Sequence, residues 1–184
     1  MKNIFIALSF LPLFYFSQVK IEGVTFPANI KSGDNNLILN GGGVREKYFM
    51  DMYVGALYLK SKNKDASSII KSGEAMAIRL HIVSSLISSE KMISAIDEGF
   101  QKSTGGKTAP LEPKIKQFKA AFSEKIKVGD VFEIINDPSK GVCIYKNNKS
   151  ISVIPGIDFK SALFGIWLCD KPADSDLKEK MLGL

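Results

Sequence analysis

The hydrophobic pattern changes its period several times along the chain, and each change marks an element. Val19–Phe26 reads as a short pair of extended segments ending at Pro27. Leu37–Leu39 is apolar and leads into Asn40-Gly41-Gly42-Gly43. Phe49–Leu59 is rich in aromatic and β-prone residues and predicts a central strand. Asp65–Lys71 predicts a short helix with Asp65 as its N-cap. Ala75–Val83 alternates, with Met76, Ile78, Leu80 and Ile82 on one face and Arg79 and His81 on the other. The expectation for that polar face is the solvated side of an edge strand.

Helical spacing then takes over. Over Ser88–Ser103 the residues Met92, Ala95, Ile96, Gly99 and Phe100 make one apolar stripe, capped by Ser88 or Ser89 and stopped by Gly105-Gly106. Pro113–Ile126 predicts a second amphipathic helix through Ile115, Phe118, Ala121 and Phe122. Three short strands follow, Asp130–Ile135, Gly141–Tyr145 and Ser150–Ile154, joined by turns at 137–140 and at Asn147-Asn148. Ile157–Cys169 is apolar on nearly every side and predicts a buried helix, and Ala173–Leu182 predicts a short amphipathic one. Strands, helices, a meander and helices in that order predict an α+β fold, an antiparallel sheet with helices packed on one face.

The first residues stand apart. Lys2 precedes a mostly apolar stretch from Ile4 to Phe16, shorter than the about 20 residues a transmembrane helix needs. This predicts a signal peptide over residues 1–17, of bacterial type, and export to the periplasm or the outside. Residues 18–184 then form one domain without a membrane span. The Tyr15 at the –3 position departs from the usual small residue, so the cleavage site stays open. Export would permit a disulfide between Cys143 and Cys169, although two buried free thiols is the preferred reading.

Composition narrows the chemistry. Only two of the 25 basic residues are arginine, Arg45 and Arg79, and His81 is the single histidine. One histidine and two distant cysteines do not make a zinc site, and no motif calls for a cofactor. The net charge of +6 is carried by lysines scattered over helices and turns. That disfavours nucleic-acid binding, which concentrates arginine, and leaves a solvated surface with weak attraction to anionic membranes. The triple glycine lacks the spacing of a phosphate cradle and points instead to a tight backbone path or a bulge. Arg45 is the stronger candidate. It follows the glycines and precedes Tyr48, Phe49 and Tyr53, and a guanidinium beside an aromatic strand can hold a carboxylate or an enolate bidentately.

Several stretches together resemble the chalcone isomerase-like family: GGGVREKYFMDMYVGALYL, HIVSSLISSEKMISAIDEGF and FGIWLCDKPADSDLKEKML. The resemblance covers Val24 to Leu182 and is most specific at the Gly-Val-Arg segment, taken as a turn, and the YVGALYL strand. It implies an open-faced β-sandwich, a large antiparallel sheet covered by helices. The family contains isomerases that close a chalcone by intramolecular addition and non-catalytic relatives that hold a fatty acid between sheet and helices. In both, an arginine after the glycines meets the anionic end of the ligand, a position matched by Arg45. The isomerases add a threonine, a tyrosine and an asparagine, whose positions carry Tyr53, Ser88 and Ala95 here. With the arginine kept and the partners changed, the resemblance implies a binding protein for a fatty acid or similar amphipathic carboxylate. Arg45 would meet the head group, Tyr53, Tyr48 and Ser88 would be ligand-binding residues, and Met50, Met52, Met76, Met92 and Ile96 would line the tail. An intramolecular lyase acting on an aromatic enone through Arg45 is the alternative, and a partner-binding protein without a small ligand is the second. The oligomeric state is not assigned.

Overall fold

The structure, a computed structural model, describes residues 17–184, so the expected signal peptide lies outside the described residues except for Ser17. Seven strands form one antiparallel sheet in sequential order: β3 (Asn29–Ser32), β4 (Asn35–Lys47), β5 (Met50–Leu59), β6 (Met76–Ile82), β7 (Val131–Asp137), β8 (Gly141–Lys146) and β9 (Lys149–Ile154). β1 (Gln18–Ile21) and β2 (Val24–Pro27) make a separate hairpin. The helices are α1 (Ala66–Lys71), α2 (Ser89–Ser103), α3 (Glu112–Ala120), α4 (Ile157–Leu168) and α5 (Ser175–Leu182). No helix among the described residues is long and apolar enough to cross a membrane.

The alternation of β6 sorts the two sides of the sheet as expected. Met76, Ile78, Leu80 and Ile82 enter the large core beneath the helices, with Phe100, Phe118, Phe159 and Trp167. The polar side differs from expectation in two ways. β6 is the middle strand of the seven, not an edge, and Arg79 is paired across the strands with Glu133. That face also carries a second core: the β1–β2 hairpin brings Phe26 over Val54, Ala56 and Tyr58, and Tyr58 donates a hydrogen bond to the Pro27 carbonyl at 2.8 Å.

The glycines do not turn the chain. Gly41, Gly42 and Gly43 lie inside β4, and the turn comes later, at Tyr48-Phe49. Asn40 is an extra residue in the ladder, a β-bulge, because Leu39 pairs with Tyr58 and Gly41 with Leu57. Its amide donates to the Met181 and Asn63 carbonyls at 2.8 and 2.9 Å. A Cβ on Gly41 would overlap the Lys180 carbonyl oxygen, and one on Gly43 the Lys180 side chain. The glycines thus let α5 lie directly on the sheet.

Helix caps follow the sequence closely. Asp65 accepts from the Ser68 amide at 3.1 Å, and Ser88 accepts from the Lys91 amide at 3.3 Å. α3 ends at Ala120, sooner than the periodicity predicts, although Ala121 and Phe122 remain buried. α4 is buried on almost every side, as its composition requires, and α2 crosses it closely where Gly99 meets Ile166. Both cysteines are free thiols; Cys143 is buried, while Cys169 is half-buried.

Candidate functional site

The free end of the β4–β5 hairpin and the N-terminal half of α2 enclose the candidate site. A cavity of about 280 Å³ lies between them, walled by Arg45, Met50, Met52, Leu86, Ile87, Met92 and Ala95, with Lys47, Tyr48, Lys91 and Ser94 around its mouth. A smaller chamber of about 20 Å³ lies further inside, among Arg45, Tyr53, Phe118, Phe122, Ile166 and Trp167. Arg45, Met92 and Ala95 line both spaces, so Arg45 stands at the junction between them.

The strand register explains how Arg45 reaches this place. Arg45 lies directly opposite Tyr53, and neighbours across an antiparallel ladder project from the same face. The next pair is Glu46 with Asp51, which leaves Met52 as an extra residue. This bulge sends Met52 and Tyr53 into the same core, one toward the outer cavity and one toward the inner. Asp174 accepts from the Glu46 amide at 3.1 Å and fixes the end of β4 against the α4–α5 connection.

Polar groups are few here, and their pairing is incomplete. The Arg45 guanidinium carbon lies 5.6 Å from the centre of the Tyr53 ring, a cation–π distance. Among the described residues no carboxylate forms an ion pair with Arg45, and its Nε is buried without a hydrogen-bond partner. Trp167 Nε1 donates to the Tyr53 hydroxyl at 2.8 Å. Burial pushes the Tyr53 pKa up, while the Arg45 charge and the Trp167 hydrogen bond pull the other way. The phenol is therefore neutral at physiological pH and able to donate. An Nε–H with no acceptor and a hydroxyl whose proton is not taken thus meet at one small chamber. An acceptor-only anion, a carboxylate, suits such a pair of donors.

The expected site residues fall into three groups. Arg45 and Tyr53 come together, opposite each other in the β4–β5 ladder. Tyr48 is at the cavity mouth, 78% exposed. Ser88 caps α2 and lies outside the lining of both spaces. Met50, Met52 and Met92 line the outer cavity and Ile96 the inner chamber, whereas Met76 lies elsewhere in the core. Trp167, Leu86 and Ile87 were not foreseen. Trp167 is 114 residues from Tyr53, and the only hint was that it is the chain's single tryptophan. No group of acidic, histidine and cysteine residues among the described residues could hold a metal ion.

Comparison with known proteins agrees with this architecture. No curated protein matches the chain. Among solved structures, an Arabidopsis thaliana fatty-acid binding protein superimposes with a TM-score of 0.71 at 19% identity, over 90% of this chain and 96% of that one. At that identity the likeness establishes the fold: a curled antiparallel sheet with helices on one side. The sequence profile described as chalcone isomerase-like matches residues 18–183. With the profile spanning nearly every described residue, the chain belongs to the chalcone isomerase-like family.

Proposed function

We propose that this protein is a non-catalytic carrier of a fatty acid or a similar amphipathic carboxylate, with the carboxylate on Arg45 and the tail in the outer cavity. The observation that carries the reading is the buried, unpartnered Nε of Arg45 at the inner end of an apolar cavity. Leaving such a donor unpaired costs about 1–3 kcal/mol or more for a charged group. A bound carboxylate recovers that cost and gains a charge-assisted hydrogen bond. Met50, Met52 and Met92 offer flexible walls that accept tails of different shape. The volume, just below the about 300–1,000 Å³ of ordinary small-molecule sites, suits one chain. A relative of the same fold is a fatty-acid binding protein, which favours this ligand class.

Ala95 supports binding over isomerisation. It lines both spaces and offers no polar group where a ketone or a phenolate would need one. The Lys2 and 4–16 pattern at the N-terminus supports export. The test is native mass spectrometry of protein purified from its own compartment, followed by lipid extraction. The reading expects one carboxylic acid per chain, lost in Arg45→Met. An empty protein that also fails to take up added fatty acid would refute it, and chalcone turnover dependent on Arg45 would favour the lyase.

A further inference from the structure

The turn between β4 and β5 is built against its own backbone preference. Lys47 pairs with Met50, leaving a two-residue loop of Tyr48 and Phe49. Both have positive φ, 54° and 63°. Such loops favour Asn-Gly, and an L-residue with a Cβ pays about 1–2 kcal/mol to occupy the left-handed region. Here the two positions carry large aromatics that face water. Phe49 is fully exposed and Tyr48 78% exposed, with Met50 at 41% and Leu86 at 42% beside them. These are four of the ten exposed large apolar side chains among the described residues. Tyr48, Met50 and Leu86 border one cavity mouth, so they form a single patch around an opening.

Charge surrounds the patch. The Lys47 ammonium lies 5.6 Å over the Tyr48 ring, and Lys91 stands at the opposite side of the mouth. Glu46 and Asp51 are on the strand shoulders behind the tip, and Glu90 is in the first turn of α2. The cavity lining carries Arg45, Lys47 and Lys91 and no carboxylate, with Glu98 the acid within electrostatic reach of Lys47, and such a positive opening is what an anionic surface would select. The shape also chooses. It suits the headgroup layer of a membrane, where aromatic rings settle.

We infer that the Tyr48–Phe49 hairpin tip is a docking element for an anionic lipid bilayer, seating the cavity mouth on the membrane surface. The docking stands without the fatty-acid reading, which enters only in naming what would pass through the mouth. The strain in the turn is then the cost of presenting two aromatic rings beside the cavity mouth.

The test is co-sedimentation of the whole mature chain, without fatty acid, with vesicles of phosphatidylcholine alone or mixed with phosphatidylglycerol. Binding is expected to the mixed vesicles, weaker with phosphatidylcholine alone and falling as salt is raised. Phe49→Gly suits the left-handed backbone and leaves the cavity lining untouched, so the variant should melt no lower than the parent. Its partition onto mixed vesicles should fall about tenfold or more, and Phe49→Trp should restore it. No binding by the parent chain, or equal binding by Phe49→Gly, overturns the inference. So does a parent chain that dimerises through the tip instead. Fatty-acid binding measured separately reports on the cavity, so failure of either reading is seen independently of the other.

Discussion

Trp167 on α4 donates its indole hydrogen to the Tyr53 hydroxyl on β5, and this fixes which way the tyrosine points its own proton. With the oxygen accepting from the helix side and facing the Arg45 charge, the O–H is left to point into the inner chamber, away from the guanidinium. Tyr53→Phe should weaken fatty-acid binding about tenfold, the value of one hydrogen bond to a charged acceptor. Trp167→Phe should weaken it less, because the hydroxyl remains but is no longer oriented. The double variant should lose less than the sum of the two, which titration calorimetry on the three proteins would show.

Arg45 predicts opposite effects on binding and on stability. Arg45→Met should reduce fatty-acid affinity by about 2–5 kcal/mol, as expected for truncating one partner of a buried charge pair. In the ligand-free protein the same change removes a buried unpaired donor. The empty variant should melt at the same temperature or higher. Thermal melts with and without added fatty acid test both signs together, and a large loss of stability in the empty variant would mean that Arg45 is a structural residue.

The glycines of β4 make a graded prediction. A Cβ at position 41 meets backbone, the Lys180 carbonyl, while one at 43 meets a flexible lysine side chain. Gly41→Ala should therefore cost about 1–3 kcal/mol by forcing α5 off the sheet, and Gly43→Ala under about 1 kcal/mol. Urea unfolding of the two variants would separate them.

Lys160 is fully buried on α4, and its ammonium caps the end of α1 by donating to the carbonyls of Ile69, Ile70 and Ser72 at 2.7, 3.0 and 2.7 Å. Lys160→Met would leave three acceptors unpaired and should destabilise the fold by about 2–4 kcal/mol. Burial pulls the Lys160 pKa down to about 8 from 10.5. Between about pH 8 and pH 10 the unfolded chain then keeps a proton that the folded chain releases, so this group makes stability rise with pH in that window. The difference in unfolding free energy between the parent chain and Lys160→Met should widen across it. A difference that stays constant would show the three carbonyls holding the proton in place.

Much of this was legible in one dimension. The alternation of Ala75–Val83 assigned the faces of β6 correctly because successive side chains of a strand point to opposite sides of the sheet. Ser88 announced the start of α2, since a serine before an apolar stripe satisfies the first free amides. That Arg45 and Tyr53 share a site came from the family resemblance; the ladder that sets them opposite each other was hidden, because the segment before Arg45 reads as a turn. What escaped depended on insertions and distance. The bulge at Met52 reverses the expected alternation locally, and nothing in its composition signals it. The Leu86–Ile87 wall of the cavity lies in a connection without period. Gly41–Gly43 looked like a turn because a glycine run removes side chains for either of two reasons. Here the reason was a helix from the far end of the chain.

That helix has a consequence for biosynthesis. The Asn40 side chain closes on the Met181 carbonyl, 141 residues later. The bare glycine surface of β4 therefore waits, uncovered, until α5 has been made. Early segments can collapse as they emerge, but this seam can be sealed only after synthesis has reached residue 181, the slowest kind of contact to form.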